Sequence, residues 1–298
     1  MTLPFSSRLQ DDLLLRIGRV ASVIARASGL PAAGERDDYL RRRLAGYIDS
    51  HGTEGLERLV KKSEQGDAAA IQELRNALAV NYTYFWREPE HFQILLEHLL
   101  TTLRARVKAG DTAPRLRLWS AACASGEEAW SMAMVAAEAE RLSGVNARIE
   151  LLATDIDTLA LQDAVRGQYR EEVLAQLPHE LRDRYLERGK LHWQVTDALR
   201  SHLRFAPMDL TASQWPACDA GGAFDAIFCR NLMIYLTDSA RFFVFEKFAA
   251  LLERNGLLFL SRVEGGVDRG EPYFRLCGDG VYLLSAAVRR TTSVGKSS

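Results

Sequence analysis

Four stretches of this sequence end an apolar run on small or polar residues, and these are where chemistry could sit. The first is LRLWSAACASGEEAW, in which Ser120 through Gly126 separate a strand-like run from a helix-like one. Small residues there let backbone approach a ligand closely, with N–H groups available at the helix start. The spacing is not G-x-G-x-x-G, so the dinucleotide fingerprint is missing. A tight turn without a ligand reads as well. Glu127 and Glu128 follow, favouring the helix dipole but opposing a diphosphate. An amino group or a sulfonium suits such a junction better than a pyrophosphate does. In the second stretch, LLATDID, Asp155 directly follows an apolar run. A carboxylate there can accept hydrogen bonds from both hydroxyls of a ribose, or cap a helix, a task equally open to Asp157. The third, FDAIFCRNLMIYL, sets Arg230 and Asn231 after the buried run Phe224–Cys229, with Tyr235 one helical turn on. That pair either faces a cleft or forms an ordinary cap. LRFAPMDL, the fourth, ends with Asp209 and Leu210. Four strand ends offering polar groups to one sheet edge carry more weight than any one of them.

Strands and helices must alternate for those ends to share an edge, and the texture from Arg115 onward does so. RLRLWSA, IELLATDI, LRFAPMDL, FDAIFCRN and GLLFLSRV read as strands, and EEAWSMAMVAAEAERL, TLALQDAVRG and ARFFVFEKFAALLERN as helices. Such alternation predicts an α/β fold with a parallel sheet covered on both faces and ligands at the strands' carboxyl ends. The first eighty residues read as helices only: Leu13, Ile17, Val20 and Ile24; Leu40, Leu44 and Ile48; Leu56, Leu59 and Val60; then Ile71, Leu74 and Leu78. Pro89 opens a further helix, with Phe92, Leu95, Leu96, Leu99 and Leu103 as its buried face. The division expected is an all-α unit over residues 1–80, a connecting segment over 81–114 and an α/β domain over 115–290. The last carries a small β-subdomain about residues 187–206, and 291–298 form a disordered tail.

Composition narrows the classes. Basic and acidic residues number 38 and 39 for a net charge of −1, which argues against a nucleic-acid binder. Cys123, Cys218, Cys229 and Cys277 contain no C-x-x-C pair, so reduced thiols and no structural metal are expected. Arg8, Asp11 and Asp12 interrupt what a signal peptide would need, and no apolar run nears the ~20 residues that span a bilayer. The expected location is the cytoplasm.

NYTYFWREPEHF, WSAACASGEEAWSMAM, ATDIDTLAL, GQYR, FAPMDL and FDAIFCRNLMIYL follow one another as they do in the chemotaxis receptor methyltransferases, the CheR family, which this chain resembles over roughly residues 10 to 287. The resemblance implies an all-helical N-terminal domain before a Rossmann-like S-adenosylmethionine-dependent methyltransferase domain with a small antiparallel subdomain. It also implies methyl transfer to glutamate side chains on the cytoplasmic helices of chemoreceptors, with S-adenosylhomocysteine as the other product. By that likeness the cofactor contacts are Asn81, Thr83 and Arg87; Ala122 in the small-residue turn; Glu128 at the methionine amino end; Asp155 at the ribose; Asp209 with Leu210 at the adenine; and Arg230 with Asn231 near the methionyl part. Arg87 and Tyr235 match the positions that orient the substrate glutamate, and Arg41, Arg42 and Arg43 those that meet receptor helices.

Departures are also visible. The family usually carries Asn where Asp209 stands, and Arg262 and Val263 replace the usual wording before Glu264. Residues 1–80 hold twelve basic and eleven acidic side chains, so docking by charge should be modest and the Arg triplet reads equally as a solvated face. ERGKLHWQVTDALRSHLRF lacks the glycines of members that tether to a receptor's terminal pentapeptide, so no tethering is expected, and the chain is expected to be a monomer. Competing readings are a methyltransferase acting on another protein or a small molecule, and a non-catalytic cofactor sensor.

Overall fold

A computed structural model describes residues 37–78, 83–218, 222–264 and 273–285. The first apolar stripe, Asn81 and the tail after residue 290 lie outside the described residues. Helix α1 (Asp37–Glu64) is two helices merged across a kink at Gly52, whose φ of 71° suits glycine. Its second half and α2 (Ala68–Leu78) bury Leu56, Leu59, Val60, Ala70 and Leu74 in a small core of their own. Asp67 starts α2 by accepting the Ala70 N–H at 2.8 Å.

Pro89 begins α3 (Pro89–Lys108), as its missing N–H predicts. His91, Phe92, Leu95, Leu99 and Leu103 form the buried stripe, and Leu96 is only half-buried. The α/β part then runs β1 (Arg115–Ala121), α4 (Glu127–Ser143), β2 (Arg148–Asp155), α5 (Thr158–Arg166), β3 (Gln168–Tyr169), α6 (His179–Tyr185), β4 (Leu186–Arg188), β5 (Trp193–Val195), α7 (Asp197–Arg200), β6 (Leu203–Pro207), β7 (Phe224–Phe228), α8 (Asp238–Leu251), β8 (Leu252–Phe259), β9 (Phe274–Gly278) and β10 (Val281–Leu284).

Seven strands form one sheet in the order β6-β2-β1-β7-β8-β10-β9. The first five pair in parallel, and β10 runs antiparallel to both its neighbours. Side chains alternate between faces with the pleat. Leu118, Ala226, Phe228 and Phe259 join the core under α3 and α4; Trp119, Ile227 and Leu258 join the core under α8 with Val244, Phe245 and Phe248. This is the Rossmann-like arrangement, with the order reversing between β1 and β7, so a crevice opens at their carboxyl ends.

Three expectations are corrected. The small sheet takes β4 and β5 from the expected span but β3 from before it. Its order is β3-β5-β4, and β6 belongs to the large sheet, where Leu203–Pro207 pairs in parallel with Leu151–Asp155. The helix expected over ARFFVFEKFAALLERN stops at Leu251, and β8 starts at Leu252. Within β8 a Cβ at Gly256 would meet the Phe224 carbonyl at 2.9 Å, where the β7–β8 register shifts. The hairpin β9–β10 adds two strands to the five expected ones.

Candidate active site

The rim of the crevice starts where β1 ends. Ala122, Ala124 and Gly126 hold φ of 73°, 47° and 95°, a left-handed backbone that costs an alanine roughly 1–2 kcal/mol. Backbone bonds hold that shape: the Ala122 and Cys123 N–H groups both donate to the Thr154 carbonyl, at 2.8 and 2.9 Å. Gly126 must be glycine for a second reason. A Cβ there would lie 2.8 Å from Ala164 Cβ and 2.9 Å from the Tyr169 hydroxyl.

In the first turn of α4 the two glutamates diverge. Glu128 accepts from the Ser120 hydroxyl at 2.7 Å and from Arg230 Nε at 2.6 Å, and it is 8% exposed. Glu127 accepts from the Ser125 hydroxyl, at 2.8 and 3.0 Å, and burial pushes its pKa up. At the end of β2, Asp155 takes the Ala124 N–H on Oδ2 at 2.7 Å and the Asp157 N–H on Oδ1 at 2.9 Å. Burial is the first cause lifting its carboxyl to about 6, against the backbone bonds that lower it. The cap role left open between two aspartates falls to Asp157, which accepts from the Leu159 and Ala160 N–H groups.

Arg230, at the end of β7, is 6% exposed and lies over the Phe92 and Phe228 rings, 5.3 Å from each centroid. Its Nη1 donates to the Arg87 carbonyl at 2.5 Å and stands 3.6 Å from Glu88 Oε2. Asn231 follows with φ of 61°. The turn beyond it is gripped by Glu264, which accepts the Met233 and Ser261 N–H groups at 2.8 and 2.9 Å and also bonds those of Asn231 and Ile234. Tyr235 ends this turn half-buried.

The segment before α3 closes the site. Arg87 stacks over Tyr84 at 5.8 Å, between two left-handed residues, Trp86 (φ 63°) and Glu88 (φ 56°). Thr83 is half-buried at its start. On the β2–β6 side, α2 bridges to the rim: Gln72 Nε2 donates to the Ile156 carbonyl at 2.7 Å, Asn76 bonds the Thr158 hydroxyl at 3.2 Å, and Arg75 pairs with Asp209 at 3.2 Å. Asp209 also accepts from the Thr211 N–H and hydroxyl, and Leu210 is buried beside Met208. The ion pair to Arg75 is one that an asparagine could not make, which accounts for the aspartate at this position.

The structure thus gathers Arg87, Ala122, Glu128, Asp155, Arg230 and Asn231 around the first three strand ends. It places Asp209 and Leu210 on the neighbouring one. Arg41, Arg42 and Arg43 lie in α1. The sequence pointed to neither Glu88 nor Ser261, marked Ser120 only as the start of the small-residue junction, and flagged Glu264 without a role. Only the glutamate before Pro89 offered a signal, as an acidic residue at a helix start. Burial raises the pKa of Cys123 and Cys229 well above the ordinary thiol value. Among the described residues, no group of three or more metal-ligating side chains is placed to hold an ion, and no helix is long and apolar enough to cross a membrane.

Residues 81–276 match the sequence profile described as "CheR methyltransferase, SAM binding domain". A chemotaxis protein methyltransferase of Escherichia coli is 34% identical over 272 residues, covering 90% of each chain. The corresponding protein of Salmonella typhimurium is 34% identical over 272 residues, covering 90% of this chain and 89% of that one. That of Borreliella burgdorferi is 28% identical over 250 residues, covering 83% and 87%.

Proposed function

The chain belongs to the CheR methyltransferase family, and from that premise we propose that it methylates glutamate side chains on the cytoplasmic helices of chemoreceptors, giving the glutamyl methyl esters of sensory adaptation. S-adenosylmethionine is the cofactor, and the donor set fits it. Ala122 and Ala124 present only methyl groups on a left-handed loop. Asp155 is a buried carboxylate that takes the N–H groups of Ala124, Ile156 and Asp157, and Glu128 one that takes the Ser120 hydroxyl and Arg230 Nε; a carboxylate has lone pairs beyond these for a hydroxyl or an amino group. When bound, the cofactor supplies an electrophilic sulfonium methyl.

The chain's own residues then have the tasks of holding and aiming. Asp155 would take the ribose and Glu128 the amino end beside Ala122. Asn81, Thr83 and Arg87 would close over from the connecting segment, Asp209 and Leu210 would border the adenine, and Arg230 with Asn231 the methionyl part. An acceptor glutamate of ordinary pKa, ~4.3, is already a carboxylate at neutral pH, so no general base is required. Cys123 and Cys229, held protonated by burial, do not compete as nucleophiles. Holding reacting atoms about 3–3.5 Å apart supplies roughly 7–11 kcal/mol. Arg87 can pair with the acceptor in a forked geometry. Tighter pairing would blunt the oxygen, so its role is positioning, with Tyr235 donating a hydrogen bond or walling off water.

Arg87 is the observation that carries the acidic acceptor: a guanidinium on a segment fixed by Arg230, which itself holds Glu128. Arg41, Arg42 and Arg43 are the receptor-docking candidates. The β4–β5 link is a tight turn, closed by the Gly189 N–H on the His192 carbonyl at 2.9 Å, which favours action without pentapeptide tethering. We further assign a monomeric, cytoplasmic protein with no nucleic-acid partner. Transfer of tritiated methyl to isolated receptor cytoplasmic fragments, read as base-labile methanol, tests the proposal. Arg87→Ala should slow transfer about a hundredfold while S-adenosylhomocysteine affinity changes far less. Absence of base-labile product overturns the glutamate assignment, and undiminished transfer by Arg87→Ala overturns the role of Arg87.

A further inference from the structure

Arg87 is flanked on both sides by residues that L-amino acids seldom hold. Trp86 and Glu88 have φ of 63° and 56°, and neither is glycine. Such conformations persist only where the surroundings over-determine them, and they cluster at functional sites. The restraints are identifiable. The Trp86 N–H donates to the Ser131 hydroxyl at 3.2 Å, and its ring stacks on Phe92 at 4.6 Å. Glu88 occupies the N-cap position of α3, yet its side chain makes no cap bond to that helix. It turns inward instead. Oε1 accepts from the Ser261 hydroxyl at 2.7 Å, and Oε2 stands 3.2 Å from His91 Nδ1 and 3.6 Å from Arg230 Nη1. His91 is in turn fixed by the Asp279 carbonyl at 2.8 Å, beneath Gly280, where a Cβ would come within 2.4 Å of the Leu260 carbonyl.

We propose that Glu88 is a positioning residue for Arg87: its carboxylate ties the strained Trp86–Glu88 turn to the end of β8 and to Arg230, and so sets where the Arg87 guanidinium stands during methyl transfer. A residue that merely started α3 would direct its oxygens to the helix N–H groups. Arg230 completes the device, since one guanidinium holds the Arg87 carbonyl at 2.5 Å and Glu128 at 2.6 Å. The turn bearing Arg87 and the carboxylate assigned to the cofactor's amino end therefore share one rigid contact. This inference rests on the assignment of Arg87 made above.

The test compares wild type, Glu88→Gln, Arg87→Ala and the double variant. Single-turnover methyl transfer to a receptor cytoplasmic fragment at saturating cofactor is measured beside calorimetric S-adenosylhomocysteine affinity. Glu88→Gln should slow transfer about ten- to a hundredfold, the scale of a ~1 Å misplacement, with affinity unchanged. The double variant should be no slower than Arg87→Ala alone, because coupled residues are not additive. A purely structural role would lower affinity and stability without that coupling. Wild-type rate in Glu88→Gln, or slowing that multiplies with that of Arg87→Ala, overturns the positioning role and leaves Arg87 standing; wild-type rate in Arg87→Ala overturns both. Should Glu88→Gln fail to bind S-adenosylhomocysteine, Ser261→Ala, which removes only the hydroxyl on Glu88, decides by the same coupling.

Discussion

Glu128 and Asp155 stand on the same rim, each 8% exposed, and are held in opposite ways. Glu128 meets a guanidinium, Arg230 Nε at 2.6 Å, with the Ser120 hydroxyl on its other oxygen. Asp155 meets backbone dipoles, the N–H groups of Ala124, Ile156 and Asp157. Equal burial therefore has unequal compensation: an opposite charge in one place, oriented amides that only partly offset desolvation in the other. The Glu128–Arg230 pair is compensated within the protein, and removing its cation should damage the fold. Asp155 is compensated only in part, and by the assignment proposed above its removal should damage binding.

Arg230 is where that contrast breaks most visibly. Arg230→Met leaves Glu128 buried, and Glu88 half-buried, without their cation, and urea unfolding should lose about 3–5 kcal/mol; a loss near zero would mean that Glu128 has no need of its partner. Asp155→Ala should instead spare the fold and weaken S-adenosylhomocysteine binding by roughly ten- to a hundredfold, the worth of a charged hydrogen bond at about 1.5–3 kcal/mol. Calorimetry showing an unchanged dissociation constant would strip Asp155 of the ribose.

A pH titration sharpens the same point. With its carboxyl at about 6 in the folded chain and ~3.9 when unfolded, Asp155 binds a proton more tightly when folded. Its contribution to stability is greatest below pH ~4, falls as pH rises towards about 6 and is flat above. Glu127 and Glu264, also raised by burial, act in the same direction. Binding that needs the Asp155 carboxylate runs the opposite way. Affinity should hold above pH ~6 and decline by up to about tenfold per unit below it, and Asp155→Ala should flatten the profile. A profile that stays sloped in Asp155→Ala assigns the titration to another group. The smallest effect belongs to Asp157→Ala, which should cost about 1 kcal/mol of stability through the lost cap of α5 and leave cofactor affinity alone.

The rim was legible in the sequence because each of its parts is local. RLRLWSA is β1 without a residue's error, and Pro89 marks the start of α3. The choice between Asp155 and Asp157 as cap was open until geometry assigned it, since both lie within three residues of the helix start. Glu88 was not legible, because Ser261, its hydroxyl donor, is 173 positions away. Nor was the left-handed backbone at Trp86, Ala122 and Ala124, residue types that give no sign of positive φ. Strand β9 escaped notice for a different reason: only its first residue, Phe274, is buried, so no alternation marks it despite the Asp279-Gly280 turn beside it. The expected β-subdomain reached into β6 because apolar content identifies β6 as a strand without saying which sheet receives it.

Helix α2 is stitched to the tips of β2 and β6 by Gln72, Arg75 and Asn76. An isolated α/β fragment, trimmed of everything ahead of residue 80, would therefore expose the Ile156 carbonyl, the Thr158 hydroxyl and the Asp209 carboxylate to water. The helical unit thus doubles as an outer wall for the ends of β2 and β6, and any force that tilts α2 is delivered to the loops beside Asp155.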